Sequence, residues 1–141
     1  MIGRFWGRYR FLSNFWPASV QLDGADYATV EHAYQAAKTV VPSEREVIQF
    51  RNTPAGAKAA GKNVTLRTNW KTIRLPVMVD LVTQKFNDPQ LGAWLLETGE
   101  QELIEGNAWN DKFWGVCRGE GANHLGIILM NVRTKLRLRS H

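Results

Sequence analysis

The stretch that decides the reading of this chain is Thr29-Val-Glu-His-Ala-Tyr-Gln-Ala-Ala-Lys38. Thr29 is a residue type whose hydroxyl takes one of the orphan N–H groups of a first helical turn, so the spacing predicts a helix from Val30 to about Val40, stopped by Pro42. On that helix Glu31, Gln35 and Lys38 stand at i, i+4 and i+7 and share a face, while Ala33, Tyr34 and Ala37 fall elsewhere around the cylinder. Alanines at 33, 36 and 37 allow close approach by another element or a ligand. Glu31 lies in the first turn, where the helix dipole favours an ionised carboxylate. Two readings stand for it: an acid that only complements the dipole, or a carboxylate held for chemistry.

Outward from this helix the elements are short and closely joined. Upstream, Gly3 to Tyr27 is aromatic and turn-rich, and Val20-Gln21-Leu22 followed by Asp23-Gly24 predicts short antiparallel strands in a hairpin. Downstream, Ser43 with Glu46 has the capping-box pattern and predicts a second helix to about Arg51. Thr53-Pro54 predicts a third, ending near Gly61. Val77, Leu81, Val82 and Phe86 have helical spacing within a segment that Pro76 should begin, and Asp88-Pro89 opens a helix ending at Thr98-Gly99. Gln101 to Glu105 reads as a strand. A final helix runs from about Asn123 to Leu138, with Leu125, Ile128, Leu129, Val132 and Leu136 forming its apolar stripe. Before it, the polar and aromatic loop from Gly106 to Gly121 carries Asn107, Trp109, Asn110, Asp111, Lys112, Phe113 and Trp114, and is where binding chemistry is expected.

With 141 residues, 44% of them hydrophobic, the chain can bury one core, so a single domain over 1–141 is expected. No apolar run is long enough to span a bilayer and no signal sequence is visible, which predicts a cytoplasmic protein with no membrane partner. Cys117 is the only cysteine, excluding an internal disulfide, a CxxC redox motif and a thiolate zinc site. The formal charge of +5 favours anionic partners. Much of it sits in Arg133, Lys135, Arg137 and Arg139 of the C-terminal run, which reads either as the solvated, dipole-matched end of a helix or as a nucleic-acid patch.

Several chemistries find no support. His32, His124 and His141 have no ligand spacing, so no metal is expected. There is no P-loop, no GxGxxG followed by an acid and no G-x-S-x-G elbow. What remains is carboxylates and aromatics. Asp111 and Glu105 lie in or beside the late loop, and two converging carboxylates are the minimal equipment for glycoside hydrolysis. Asp111 equally reads as a turn residue bonding its own backbone. Of the six tryptophans, Trp70, Trp109 and Trp114 sit in polar contexts suited to stacking on a heterocyclic base, whereas Trp6, Trp16 and Trp94 read as core.

Taken in order, Phe11-Leu-Ser-Asn-Phe15, Thr29 to Lys38, Asn69-Trp70, Val77-Met78, Lys85-Phe86, Leu95-Leu96 with Thr98-Gly99, Leu103-Ile104-Glu105, Asp111 with Trp114-Gly115, and Gly121-Ala-Asn-His-Leu-Gly126 with Leu129-Met130 form a specific pattern. It resembles the YbiA-like or NADAR family of N-glycosidases from about Phe11 to Arg137. The resemblance implies an α+β, mainly helical domain with a small antiparallel sheet, and cleavage of a bond between ribose C1 and nitrogen without a cofactor. Its substrates would be a phosphorylated ribosylamino-pyrimidine of riboflavin synthesis or ADP-ribosylated guanine in nucleic acid. The site residues it implies are Glu31, Asp111, Trp70 and Trp114, with Asn14, Phe15 and Asn123 lining the pocket. One departure is Leu75-Pro76, which should restart the helix after Asn69-Trp70 rather than let it continue.

On this reading Glu31 stabilises the positive charge at C1, and Asp111 assists the departing base or positions ribose hydroxyls. Trp70 and Trp114 stack or exclude water, Gln35 joins the binding face, and Lys38 and Arg74 meet phosphate. The alternatives are a non-catalytic ADP-ribose or NAD-binding module using the same pocket, and a nucleic-acid-binding protein using the C-terminal run.

Overall fold

Asp23 and Gly24 both adopt positive φ, 48° and 82°, the pair of values a type I′ turn needs, and they join β1 (Val20–Leu22) to β2 (Ala25–Tyr27) in the predicted antiparallel hairpin. The structure is a computed structural model that describes residues 1–139, so His141 at the end of the basic run lies outside the described residues. The architecture is α+β and mainly helical with a small antiparallel sheet, as expected, and adds one short parallel pair. Its contacts group into two units, Asn14–Lys85 and Met1–Ser13 together with Phe86 onward.

In the first unit the hairpin packs on α1 (Val30–Ala37), and α1 packs on α2 (Pro42–Gln49) and α3 (Pro54–Gly61). Thr29 is the N-cap of α1, accepting the His32 N–H at 3.0 Å. Every residue from Val30 to Ala37 is buried, so this helix has no solvent face at all. It ends at Ala37, short of the expected Val40. Pro42 opens the next helix at its first position instead of merely stopping this one, since its fixed φ suits that place and no hydrogen bond is lost there. The predicted Ser43–Glu46 capping box is therefore absent: the N-cap is Val41, with no side-chain cap. Thr53 caps α3 through the Gly56 N–H, as its sequence predicts.

The fourth helix, α4, runs without a break over Trp70–Phe86 and contains Pro76. This corrects the expectation that Pro76 restarts a helix. Pro76 faces solvent, where water can serve the carbonyl that the missing N–H leaves behind, and the flanking turns hold the helix together. Hydrogen bonds from Asn14 to Met78 and between Gln21 and Gln84 tie α4 to the start of the unit and to the hairpin.

In the second unit a 3-10 helix, Gly7–Leu12, precedes α5 (Pro89–Glu97), which packs against α6 (His124–Arg139). Asp88 caps α5 through the Leu91 N–H, and Gly99 takes φ 63° just after its end. Along α6 the stripe residues Leu125, Ile128, Leu129 and Val132 are buried. The strand predicted over Gln101 to Glu105 is reduced to a single bridge between Leu103 and Ile2, because the Glu105 backbone is taken instead by the Val116 N–H and the Asn123 side chain. The regular pairing lies later, between β3 (Gly106–Asn107) and β4 (Val116–Cys117), which run parallel. Of the tryptophans expected in the core, Trp6 is 73% exposed with Arg10 stacked on its ring, while Trp94 packs edge-on against Phe11. Among the described residues no helix is long and apolar enough to cross a membrane.

Candidate functional site

The predicted site residues divide between the units: Asn14, Phe15, Glu31, Gln35, Lys38, Trp70 and Arg74 belong to the first, and Asp111, Trp114 and Asn123 to the second. In the first unit the backbone brings Glu31 into place directly, because the Asn14 carbonyl accepts the Glu31 N–H and so closes the first turn of α1. The Glu31 carboxylate is inside the protein, with the residue only 9% exposed. Oε2 accepts a 2.7 Å hydrogen bond from the Gln35 amide, one turn further on. Gln35 itself is 4% exposed, and its Oε1 has no hydrogen-bond partner among the described residues. A buried acceptor left in that state costs about 1–3 kcal/mol, so the fold does not place it there for stability.

Tyr34 and Lys38, also one turn apart, complete this end of the helix. The Lys38 ammonium lies 5.6 Å from the centre of the Tyr34 ring, and Tyr34 in turn sits 5.2 Å from Trp70, the first residue of α4. Burial pulls the Lys38 ammonium below the ordinary lysine range; Glu31 opposes this, and repulsion from Lys58 and Lys62 on and just after α3 adds to it. Trp70 is buried despite its polar sequence context. Arg74 lies half-buried one turn along α4 from Trp70, on the same side of that helix. Phe15 is partly exposed on the segment before β1. Sequence reasoning set Tyr34 apart from the Glu31 face; the i to i+4 relation with Lys38 was the available signal. For Lys58 and Gly61, which reach this cluster from another helix, a single sequence offers none.

In the second unit the late loop is bound together by its own polar side chains. Asp111 Oδ1 accepts the N–H groups of Phe113 and Trp114 at 3.1 and 2.9 Å, so the turn reading of this residue describes a contact it does make. Asn107 grips the same residue from both sides, taking the Asp111 N–H on Oδ1 and donating Nδ2 to the Asp111 carbonyl and to Glu105 Oε2. Gly115 is packed so closely that a Cβ there would overlap the Glu105 carboxylate. Asn123 also works on the backbone, accepting from the Glu105 N–H and donating to the Leu103 carbonyl. Trp114 stands edge-on to Phe113 with centroids 4.8 Å apart, and Phe113 lies 4.5 Å from His124. Trp109 is exposed at the loop's outer edge.

Chemically, the first unit offers a buried carboxylate held by an amide donor, an ammonium with lowered proton affinity and a pair of aromatic rings. The second offers Asp111 and Trp114 on a loop whose shape is fixed. Among the described residues no cluster of three or more His, Cys, Asp or Glu is arranged to hold a metal ion.

Comparison with known proteins is consistent from end to end. An N-glycosidase of Nostoc punctiforme is 36% identical over 141 residues, covering 95% of this chain and 90% of that one. The N-glycosidase YbiA of Escherichia coli K12 is 36% identical over 134 residues, covering 91% of this chain and 82% of its own. A solved NMR structure of E. coli YbiA superimposes with a TM-score of 0.87 at 33% identity, covering 99% of this chain and 87% of that chain. A chloroplastic riboflavin biosynthesis protein, PYRR of Zea mays, is 35% identical over 150 residues, a match covering 93% of this chain but only 24% of the maize protein. The NADAR domain model matches residues 4–137, and the chain belongs to the NADAR domain family.

Proposed function

We propose that this protein is an enzyme that hydrolyses the N-glycosidic bond between ribose C1 and a nitrogen base, and that its substrate is a phosphorylated ribosylamino-pyrimidine. The observation that carries the reading is the buried Glu31 carboxylate on α1, oriented by Gln35 and set in the same cluster as Lys38, Tyr34 and Trp70. Relatives named N-glycosidases over nearly the whole chain support the reaction class, and a relative named for riboflavin biosynthesis supports the substrate class.

In the reaction, water adds to C1 and the base leaves with the proton that water gives up. The transition state is positive at C1 and the ring oxygen, and an ionised Glu31 beside it stabilises that charge or orients the attacking water. Asp111 is assigned to protonating the departing nitrogen or holding ribose hydroxyls. Trp70 and Trp114 are assigned to the base, and Lys38 with Arg74 to phosphate. Phe15, Asn14 and Asn123 are assigned to substrate contacts in this scheme.

The test is incubation with a phosphorylated ribosylamino-pyrimidine and, in parallel, with ADP-ribosylated guanine in DNA, followed by mass spectrometry for free base and ribose product. Product from the first alone supports the proposal; product from the second alone moves the enzyme to nucleic acid. Tight binding without product identifies a non-catalytic ADP-ribose or NAD-binding module. Glu31→Gln should lower turnover on the order of 10²-fold or more, with a melting temperature close to the parent's. Full activity in that variant overturns the assignment of Glu31.

A further inference from the structure

The amide of Gln35 could have pointed either way, and the direction it takes is informative. Its nitrogen donates to Glu31 Oε2 at 2.7 Å. Its oxygen occupies the space that a side chain at Gly61, at the end of α3, would need: a Cβ at 61 would overlap Gln35 Oε1 and lie 2.7 Å from Gln35 Cδ. Reversing the amide would set its oxygen against a carboxylate oxygen, which is repulsive unless Glu31 carries a proton. The observed orientation gives the carboxylate a hydrogen-bond donor, which favours the ionised acid. It does so while leaving Gln35 Oε1 buried without a hydrogen-bond partner among the described residues, an arrangement that an apolar side chain of the same volume would avoid.

We infer that Gln35 is a positioning residue for Glu31 rather than a ligand for substrate, and that Gly61 is the surface against which Gln35 is set. The inference rests on the proposed catalytic role of Glu31, which it deepens. The Gly61 hydrogen in place of a side chain lets α3 approach α1 closely enough to fix the amide, and the amide fixes the carboxylate. At the end of α1 the Lys38 ammonium is attracted by Glu31, and Lys58 and Lys62, on and just after α3, repel Lys38. On α2, Glu44 is bonded by Thr39 and Thr65, and Arg45 pairs with Asp23 of the hairpin. The hairpin also carries Asp26, which accepts from Gln21, and Tyr27.

The experiment uses Gln35→Met, which keeps the volume and removes the donor, and Gly61→Ala, which adds only the overlapping methyl group and is otherwise favourable in a helix. Two readouts are taken: the titration midpoint of the 13C-labelled Glu31 carboxyl by NMR, and the pH profile of kcat/KM for base release. Loss of a hydrogen bond to the charged form moves a carboxyl's midpoint upward, so Gln35→Met should shift the Glu31 midpoint and the acid limb of the rate profile together to higher pH. Turnover should fall roughly 10- to 100-fold, the rate equivalent of one charge-assisted hydrogen bond, with KM little changed. Gly61→Ala should act in the same direction without touching substrate. A Glu31 midpoint unmoved in Gln35→Met, or a rise in KM at unchanged kcat, overturns the inference. Failure of the catalytic reading looks different: the NMR midpoint moves but activity does not. Should Gln35→Met fold poorly, judged by its thermal melt, Gly61→Ala carries the same two readouts.

Discussion

At the scale of the residue, Asp111 shows how one side chain can satisfy two descriptions that a sequence presents as rivals. Its Oδ1 holds the turn by accepting from Phe113 and Trp114, and a carboxylate remains a carboxylate while doing so. Substitution separates the roles. Asp111→Asn keeps an oxygen that can accept both N–H groups and discards the charge; Asp111→Ala discards both. If the charge serves the departing base, Asp111→Asn should lose on the order of 10²-fold in kcat with its melt intact, whereas Asp111→Ala should also lose about 1 kcal/mol of stability, as when a capping oxygen is removed. Equal, undiminished activity in Asp111→Asn would leave only the turn. On the first helix the candidate residues Glu31, Gln35 and Lys38 were legible because helical spacing links them, which a sequence displays. What was not legible is how they are supported. The contact of Gly61 with Gln35 and the grip of Asn107 on Asp111 depend on chain segments meeting in space, and nothing in the local sequence announces either.

At the scale of the element, caps and turns translated faithfully into structure because each is a local bargain between a side chain and the nearest backbone. Thr29, Thr53 and Asp88 cap the helices they were expected to cap, and Asp23-Gly24 makes the hairpin. Misreadings arose where tertiary context outweighed local preference. Ser43 and Glu46 hold a capping-box spacing, yet Thr39 and Glu44 organise the approach to α2, with the Thr39 hydroxyl accepting the Val41 N–H and donating to the Glu44 carboxylate. Within Gln101 to Glu105 the strand pairing is the one bridge of Leu103 to Ile2, while the Glu105 backbone bonds Val116 and Asn123 instead. The most instructive case is α4, which tolerates Pro76 in its interior. Proline there supplies no N–H to the carbonyl of Thr72, four residues earlier, and its ring crowds that carbonyl. Because Pro76 is exposed and its side chain is not needed by the core, Pro76→Ala should restore the bond and stabilise the protein by up to about 3 kcal/mol. Urea denaturation measures this; a loss of stability would mean that the fixed backbone geometry of proline is needed for the packing of α4.

At the scale of the whole molecule, the buried cations set how stability responds to pH. Lys85 is almost wholly buried, and desolvation draws its pKa down from 10.5 to about 7; Lys38 is lowered as well. For each, the unfolded chain binds a proton that the folded chain resists, so stability rises with pH across the interval between the folded and unfolded values. For Lys85 that interval runs from about 7 to 10.5, and the destabilisation is complete below it. One group limits the rise at its upper end, and another acts at the acid end. Burial raises the Tyr27 pKa above 10.0, so its contribution is present below that value and lost as pH climbs through the folded one. Glu44, bonded by Thr39 and Thr65, titrates below its ordinary 4.5 and supplies stability at neutral pH that disappears as pH falls through its folded value. The melting temperature should therefore increase from pH 7 toward pH 10, turn over above that, and decline in acid as Glu44 takes up its proton. Calorimetry across this range tests the account, with Lys85→Met as the control: removing the titrating group should flatten the slope between pH 7 and 10 while leaving the acid limb unchanged. A parent protein whose melt is level between pH 7 and 10, or a Lys85→Met slope as steep as the parent's, would show that burial of this lysine is relieved by some other means than loss of its proton.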